Sequence, residues 1–266
     1  MPDIALDHFR LEAELTRIAR QAGAAILDIY ARADFGVEAK GDGSPLTLAD
    51  LAANGVILAE LAACFPWPVI SEETLVDYAV RRDWETFWLV DPLDGTRDFL
   101  DRNDEFTVNI GLIHQGVAVA GVVYAPALDE LYFGVSGQGA WMARGGVRTT
   151  LPGCWASAHA LACSRHHDVP QTAAFARLNG VTRSVPIGSA LKFGRLAAGE
   201  IDLYPRFTGS SEWDVAAGDA VLRAAGCPLR ALPDLTPMRY NTPSQRNPHF
   251  IAAAPHVPLD QLSYPT

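Results

Sequence analysis

The chain has 266 residues, 49% hydrophobic and 20% charged, with 21 Lys and Arg against 31 Asp and Glu for a formal net charge of −10. This is globular composition, which excludes a disordered or fibrous chain, and the acidic balance argues against a partner that is a nucleic-acid polymer or an anionic membrane. Cys64, Cys154, Cys163 and Cys227 are far apart with no C-x-x-C, so neither a zinc ribbon nor a redox pair is suggested.

The opening residues lack the apolar core of a secretory signal. The expectation is a soluble, reduced, cytoplasmic protein, a monomer or homodimer, with peripheral contact at the inner membrane left open. Leu11, Leu15, Ile18, Ala22, Ala25 or Ile26, and Ile29 recur at steps of three and four, which predicts a helix. Gly36 and the run from Gly41 to Pro45 break it. A second helix is expected from about Leu48 to Cys64, with Thr47 as N-cap and Asp50 as its capping-box acid, ended by Pro66 and Pro68.

Val69-Ile70 and Phe87 to Val90 read as buried strands that run into acids: Ser71-Glu72-Glu73 after the first, Asp91-Pro92-Leu93-Asp94-Gly95-Thr96 after the second. Strands follow over 106–113, 117–124 and 130–135. The apolar stretch from Ile110 to Leu128 is interrupted at His114-Gln115-Gly116, which predicts a hairpin and not a membrane span. Gly134, Gly137, Gly139, Gly145 and Gly146 mark further turns. Beyond Ala156, strands are expected over 160–164 and 201–204, and helices over 172–178, 189–198 and 213–225, the last closed by Gly226. Antiparallel strands with helices grouped around them indicate a layered α+β architecture and not an alternating Rossmann series. Two halves of one compact unit are expected: 1–150, carrying Glu72 and the Asp91–Thr96 motif, and 151–266, carrying Asp214.

The chemistry lies in the acids at element ends. Asp91 and Asp94 bracket Pro92-Leu93, a turn able to point both carboxylates and the Leu93 carbonyl one way. Glu72 ends the preceding strand, and Asp214 opens a later helix. Gathered carboxylates repel one another and take up protons unless a cation resolves the conflict. All-oxygen ligands select a hard ion, Mg²⁺ and not Zn²⁺. Bland readings compete: Asp214 as a helix N-cap, Asp94 as a cap for the following turn, Glu72-Glu73 as a solvated strand end. Gly95-Thr96 at a helix start exposes amides to an anion. Metal carboxylates beside a phosphate seat point to phosphoryl transfer to water, with the Thr96 hydroxyl holding the water and Asp50 accepting from Thr96, alongside its capping role.

Other conspicuous residues read as structural. His166-His167-Asp168 is expected to be a surface loop, Trp84, Phe87 and Trp88 core or cleft wall, and Cys64 an inert buried thiol.

Three segments together, Glu72-Glu73, Asp91 to Thr96 and Trp213 to Gly218, resemble the signatures of the inositol monophosphatase-like, lithium-sensitive, Mg²⁺-dependent phosphatases. The resemblance covers nearly the whole chain and implies an α/β/α/β/α sandwich, of the inositol monophosphatase and fructose bisphosphatase type, that hydrolyses a small phosphate ester. Asp94 to Phe99, Asn103 to Ile110, Gly188 to Phe193 and Leu203 to Phe207 resemble its 3′(2′),5′-bisphosphate nucleotidase branch. That branch implies removal of the 3′-phosphate of adenosine 3′,5′-bisphosphate to give AMP. An inositol-1-monophosphatase or a histidinol-phosphate phosphatase is the alternative on this scaffold, and a nucleotide sensor the alternative class.

The resemblance implies two or more Mg²⁺ ions, one held by Glu72, Asp91 and the Leu93 carbonyl, another by Asp91, Asp94 and Asp214. It also implies that the Gly95 and Thr96 amides bind the scissile phosphate and that Thr96, Asp50 and Glu72 position water. Gly188, Ser189 and Lys192 would lie near the nucleoside, with Tyr204 and Arg206 as weaker candidates. Ala190 stands where the branch commonly has Ser, and Arg97-Asp98 where it has Lys-Glu, which bears on substrate preference and not on the metal ligands.

Overall fold

A computed structural model describes residues 7–32, 36, 38–39, 45–155, 160–166 and 169–265. The predicted first helix is α1 (His8–Tyr30), whose buried stripe includes Leu11, Leu15, Ile18, Ala22, Ile26 and Ile29, so the open step falls on Ile26. The short strands β1 (Glu38–Ala39) and β2 (Pro45–Leu46) pair antiparallel; the break expected over 41–44 lies outside the described residues. The capping box at Thr47 and Asp50 opens α2 (Leu48–Cys64) as read.

Next come β3 (Val69–Ser71), α3 (Tyr78–Arg81), β4 (Thr86–Asp94), α4 (Thr96–Leu100), β5 (Thr107–His114), β6 (Val117–Ala125), β7 (Glu130–Val135), β8 (Gly139–Arg144) and β9 (Val147–Leu151). Strands β3 to β9 form a seven-stranded sheet in sequence order, antiparallel except for β3 beside β4. The apolar stretch beginning at Ile110 is the β5–β6 hairpin, turned at Gln115 and Gly116 with φ of 49° and 72°. No helix among the described residues is long and apolar enough to cross a membrane.

The remaining elements are β10 (Ala160–Ser164), α5 (Pro170–Leu178), β11 (Arg183–Ile187), α6 (Leu191–Ala197), β12 (Leu203–Arg206), α7 (Glu212–Ala224), β13 (Leu229–Ala231), β14 (Thr236–Pro237) and β15 (Phe250–Ala253). They build a six-stranded sheet in the order β11-β10-β12-β15-β13-β14, with β10 parallel to both its neighbours. The strand expected over 201–204 therefore begins two residues later, and the helix expected from Ser189 begins at Leu191.

Three apolar clusters hold these parts as five layers. Leu15, Ile18 and Ile57 of α1 and α2 meet Trp88, Ile110 and Phe133 on one face of the first sheet. On its other face, Phe193 and Val221 of α6 and α7 fill the space between the sheets with Phe87, Tyr132 and Phe250. Phe175 of α5 packs on the far side of the second sheet with Leu161, Leu203 and Ile251. The order is the expected α/β/α/β/α sandwich.

One packing detail positions the site. Gly111, Gly121 and Gly134 are cross-strand neighbours on β5, β6 and β7. A Cβ on Gly121 would stand 2.6 Å from the Ala217 carbonyl oxygen, and one on Gly134 would stand 2.9 Å from the Val221 Cα. The glycine row is a groove in which the α7 backbone lies directly on the sheet, so Gly134 serves the interior of a strand and not a turn. This seating fixes the amino end of α7, where Asp214 is found.

Candidate active site

The first carboxylates come from a strand end with an irregular register. Asp91 pairs with Asn109 and Asp94 with Thr107, so Pro92 and Leu93 together stand opposite Val108. The segment expected to be a turn is thus continuous strand with a bulge, and the bulge re-aims the side chains at its end. The Leu93 N–H donates to Asp91 Oδ1 at 3.1 Å, holding that carboxylate against the bulge. Gly95 follows with φ of 88°, in the region that favours glycine, and opens α4.

The other acids are brought in by backbone pairing and helix caps. Because β3 runs parallel to β4, the Glu72 N–H donates to the Val90 carbonyl at 3.0 Å, delivering Glu72 beside Asp91. Asp214 is not the N-cap of α7; Ser211 is, and Asp214 is its capping-box acid, accepting from the Ser211 N–H at 2.8 Å. Asp50 plays the same part at α2, its Oδ2 accepting from the Thr47 N–H at 2.7 Å and the Thr47 hydroxyl at 2.6 Å. Its Oδ1 lies 3.5 Å from Thr96 Oγ1, which is also 3.4 Å from the Leu93 carbonyl oxygen. Both roles expected of Asp50 therefore coexist, one on each oxygen.

These residues face a cavity of about 620 Å³, within the range of small-ligand sites. Glu72, Asp91, Leu93, Asp94, Gly95 and Thr96 line it from the first sheet, and Ser189, Lys192, Tyr204, Arg206 and Asp214 from the second half. Two expected residues stand behind the wall. Asp50 backs Thr96, and Gly188 donates its N–H to Glu105 Oε2 at 2.8 Å. A Cβ on Gly188 would come within 2.7 Å of the Glu105 carbonyl oxygen, which explains the glycine there. Ser189 takes φ of 47°, a conformation uncommon for a side-chain-bearing residue and typical of functional loops.

The electrostatics match the crowding. Burial, then repulsion by Glu72, Asp94 and Asp214, holds the Asp91 carboxyl well above the usual carboxylate range. Burial raises Asp94 to about 6 against the pull of Lys192, and burial with the Asp94 charge raises Asp214 to about 7. Lys192 is buried with its Nζ donating to the Ile187 carbonyl at 2.9 Å, and desolvation lowers it to about 8 although Asp94 opposes the change. Among the described residues no three His, Cys, Asp or Glu side chains are grouped so as to hold a metal ion as they stand. The four acids nevertheless share one field, and their all-oxygen chemistry suits a hard divalent cation.

This field gives a stability prediction. The folded chain holds protons on Asp94 and Asp214 up to about pH 6 and 7, whereas the unfolded chain releases them near 3.8. Over that interval the folded state binds more protons, so their contribution to stability is present at low pH and lost as pH rises from about 4 to 7. In chelator, the melting temperature should therefore fall between pH 5 and pH 7.5, and Mg²⁺ should raise it more at the higher pH. A Mg²⁺-induced shift that does not depend on pH would contradict the shared field.

Several lining residues escaped the sequence reading. His166 is no detached surface residue; it lines the cavity and its Nε2 lies 3.1 Å from Asp98 Oδ1. His167 and Asp168 lie outside the described residues. Arg246 reaches the cavity from a segment of the chain with no periodic signal. Its aromatic wall is Phe193, Tyr204, Trp213 and Phe250, while Phe87 and Trp88 are fully buried in the cores, as expected. Cys64 is half-buried, with Sγ 3.3 Å from Glu14 Oε2, and not sunk in an apolar face.

A sequence model of the inositol monophosphatase family matches residues 10–244. The 3′(2′),5′-bisphosphate nucleotidase CysQ of Salmonella typhimurium is 44% identical over 215 residues, covering 80% of this chain and 87% of that protein. CysQ of Escherichia coli (strain K12) is 42% identical over the same shares. Among solved structures, CysQ from Bacteroides thetaiotaomicron superimposes with a TM-score of 0.84 at 40% identity, over 94% of this chain and 99% of that one. The extragenic suppressor protein suhB from Bartonella henselae gives 0.75 at 27% identity, over 92% and 94%. Matched over most of its length in sequence and in fold, the chain belongs to the inositol monophosphatase family.

Proposed function

We propose that the protein is a 3′(2′),5′-bisphosphate nucleotidase, a metal-dependent phosphomonoesterase that removes the 3′-phosphate of adenosine 3′,5′-bisphosphate to leave AMP and inorganic phosphate. The observation that carries this reading is the convergence of Glu72, Asp91, Asp94 and Asp214, from three separate parts of the chain, on one cavity that also holds Gly95, Thr96 and Lys192. The identity to nucleotidases of that name supplies the substrate class.

Glu72, Asp91 and the Leu93 carbonyl would hold one Mg²⁺, and Asp91, Asp94 and Asp214 a second. Ions bound there supply polarisation of the phosphoryl oxygens and a lowered pKa for a water molecule. The chain's own groups do the rest. The Gly95 and Thr96 amides receive the scissile phosphate at the start of α4. Thr96, its hydroxyl oriented by Asp50, works with Glu72 to place the attacking water in line with the ribose 3′-oxygen. A new P–O bond forms from that water, the bond to the 3′-oxygen breaks, and the departing ribose oxygen takes the proton. Ser189 and Lys192 line the side on which the nucleoside would lie, and Gly188 lets that segment approach Glu105 closely.

Phosphate release from adenosine 3′,5′-bisphosphate and from myo-inositol 1-phosphate, measured side by side in Mg²⁺, tests the assignment. The nucleotide should be strongly preferred; a strong preference for the inositol ester would overturn it.

A further inference from the structure

The acids and the phosphate seat occupy one part of the cavity, and two arginines occupy another. Arg206 ends β12 and places Nη2 3.4 Å from the Gly209 carbonyl oxygen. Arg246 is held across from it by a bridge between its backbone and that of Ser211, and its Nη1 donates to Ser211 Oγ at 3.0 Å. Its Nη2 lies 3.0 Å from the point where a Cβ on Gly209 would stand. Gly209 thus separates two guanidinium groups, and its lack of a side chain leaves room for Arg246 to lie over it.

Their surroundings are unusual for this acidic molecule. Arg17, Arg144, Arg165 and Arg223 each pair with a carboxylate. Among the described residues neither Arg206 nor Arg246 has an acidic partner within ion-pair distance; the Arg206 side chain bonds the Tyr204 hydroxyl and its charge reaches Asp94 and Asp214, while its buried Nε has no hydrogen-bond partner. A partly buried guanidinium with unused donors, beside a second that reaches solvent, fits a group with several acceptor oxygens and negative charge. Its place on the wall of the cavity that holds Asp94 and Asp214 makes that group part of the same ligand.

We propose that Arg206 and Arg246 seat a second, non-scissile phosphate on the nucleoside being hydrolysed, and that Arg246 is a specificity-determining residue favouring bisphosphates over monophosphates. This rests on the nucleotidase reading above. Arg246 brings donors without a carboxylate to compete for them, so its strength is spent on the substrate.

The test crosses substrate with variant. Wild type, Arg246→Ala and Arg246→Lys are assayed on adenosine 3′,5′-bisphosphate and on adenosine 3′-monophosphate, and the affinity of both nucleotides is measured calorimetrically. In wild type, kcat/KM should favour the bisphosphate. In Arg246→Ala that advantage should shrink roughly 10- to 100-fold, carried by KM, as expected for loss of one charge-assisted contact, and Arg246→Lys should restore part of it. An equal loss on both substrates would mean that Arg246 only supports the Ser211 cap, and would overturn the proposal. So would a wild-type enzyme indifferent to the second phosphate. If neither ester is hydrolysed, the nucleotidase reading fails by itself, and a selective loss of bisphosphate affinity in Arg246→Ala still supports the arginine seat.

Discussion

Asp94→Asn is expected to lower kcat by on the order of 10³-fold or more while leaving the fold intact. The substitution is nearly isosteric, and the contact from Asn109 Nδ2 to Asp94 Oδ2, at 3.4 Å, is a long one whose loss costs little. What it removes is a charge that raises both Asp91 and Asp214 and that Lys192 faces. Without metal, the variant should be at least as stable as the wild type, because repulsion on the remaining acids is relieved. Steady-state kinetics with thermal melts in chelator check both parts. A variant retaining more than a tenth of wild-type kcat would refute the role given to Asp94.

Gly121→Val tests the seating of α7 from the strand directly beneath it. A side chain at Gly121 meets backbone, with the Ala217 carbonyl oxygen at 2.6 Å and the Ala217 Cα at 2.9 Å, so no rotamer change relieves the overlap. Overpacking of this kind costs about 2–3 kcal/mol, a drop in Tm of roughly 5–10 °C for a chain of this size. Asp214 lies in the first turn of the same helix, so kcat should fall as well. Gly55→Ala is the control. It sits in the middle of α2 with nothing within 4 Å of the added atom, and should stabilise by about 0.5–1 kcal/mol. Equal melting temperatures for Gly121→Val and wild type would mean that α7 is not held by the glycine groove.

The helices were legible because their signals are local. The stripe from Leu11 to Ile29 and the Thr47–Asp50 box each lie within a few turns of chain, and periodicity or capping chemistry suffices to read them. Strands were legible where they are central and apolar, as over β5 and β6, and illegible at the edges. β9 exposes Val147 to Thr150 and so carries no alternation of buried and exposed residues. β11, at an edge of the second sheet, carries Pro186 within it, whereas β15 is central and buried but only four residues long. Gly134 looked like punctuation because the helix that demands a glycine there comes some eighty residues later, beyond any local pattern.

The site divides in the same way. Acids placed where apolar runs stop could be read one at a time, since an ionised group at a strand end needs a reason to be there. Their common cavity could not, because it depends on the bulge at Pro92-Leu93, on the parallel pairing of β3 with β4, and on α7 lying across the glycine row. Arg246 gave no signal at all. It stands in the turn-rich run 242–248 and gains its position through its contacts with Ser211 and Ser244.

Diffraction data from crystals soaked in Mn²⁺, collected at an energy where manganese scatters anomalously, address the convergence of acids most directly. Anomalous peaks are expected bounded by carboxylate oxygens of Glu72, Asp91, Asp94 and Asp214 and by the Leu93 carbonyl, with Asp91 touching more than one ion. Crystals that take up manganese elsewhere, or not at all, with these four side chains unliganded, would contradict it.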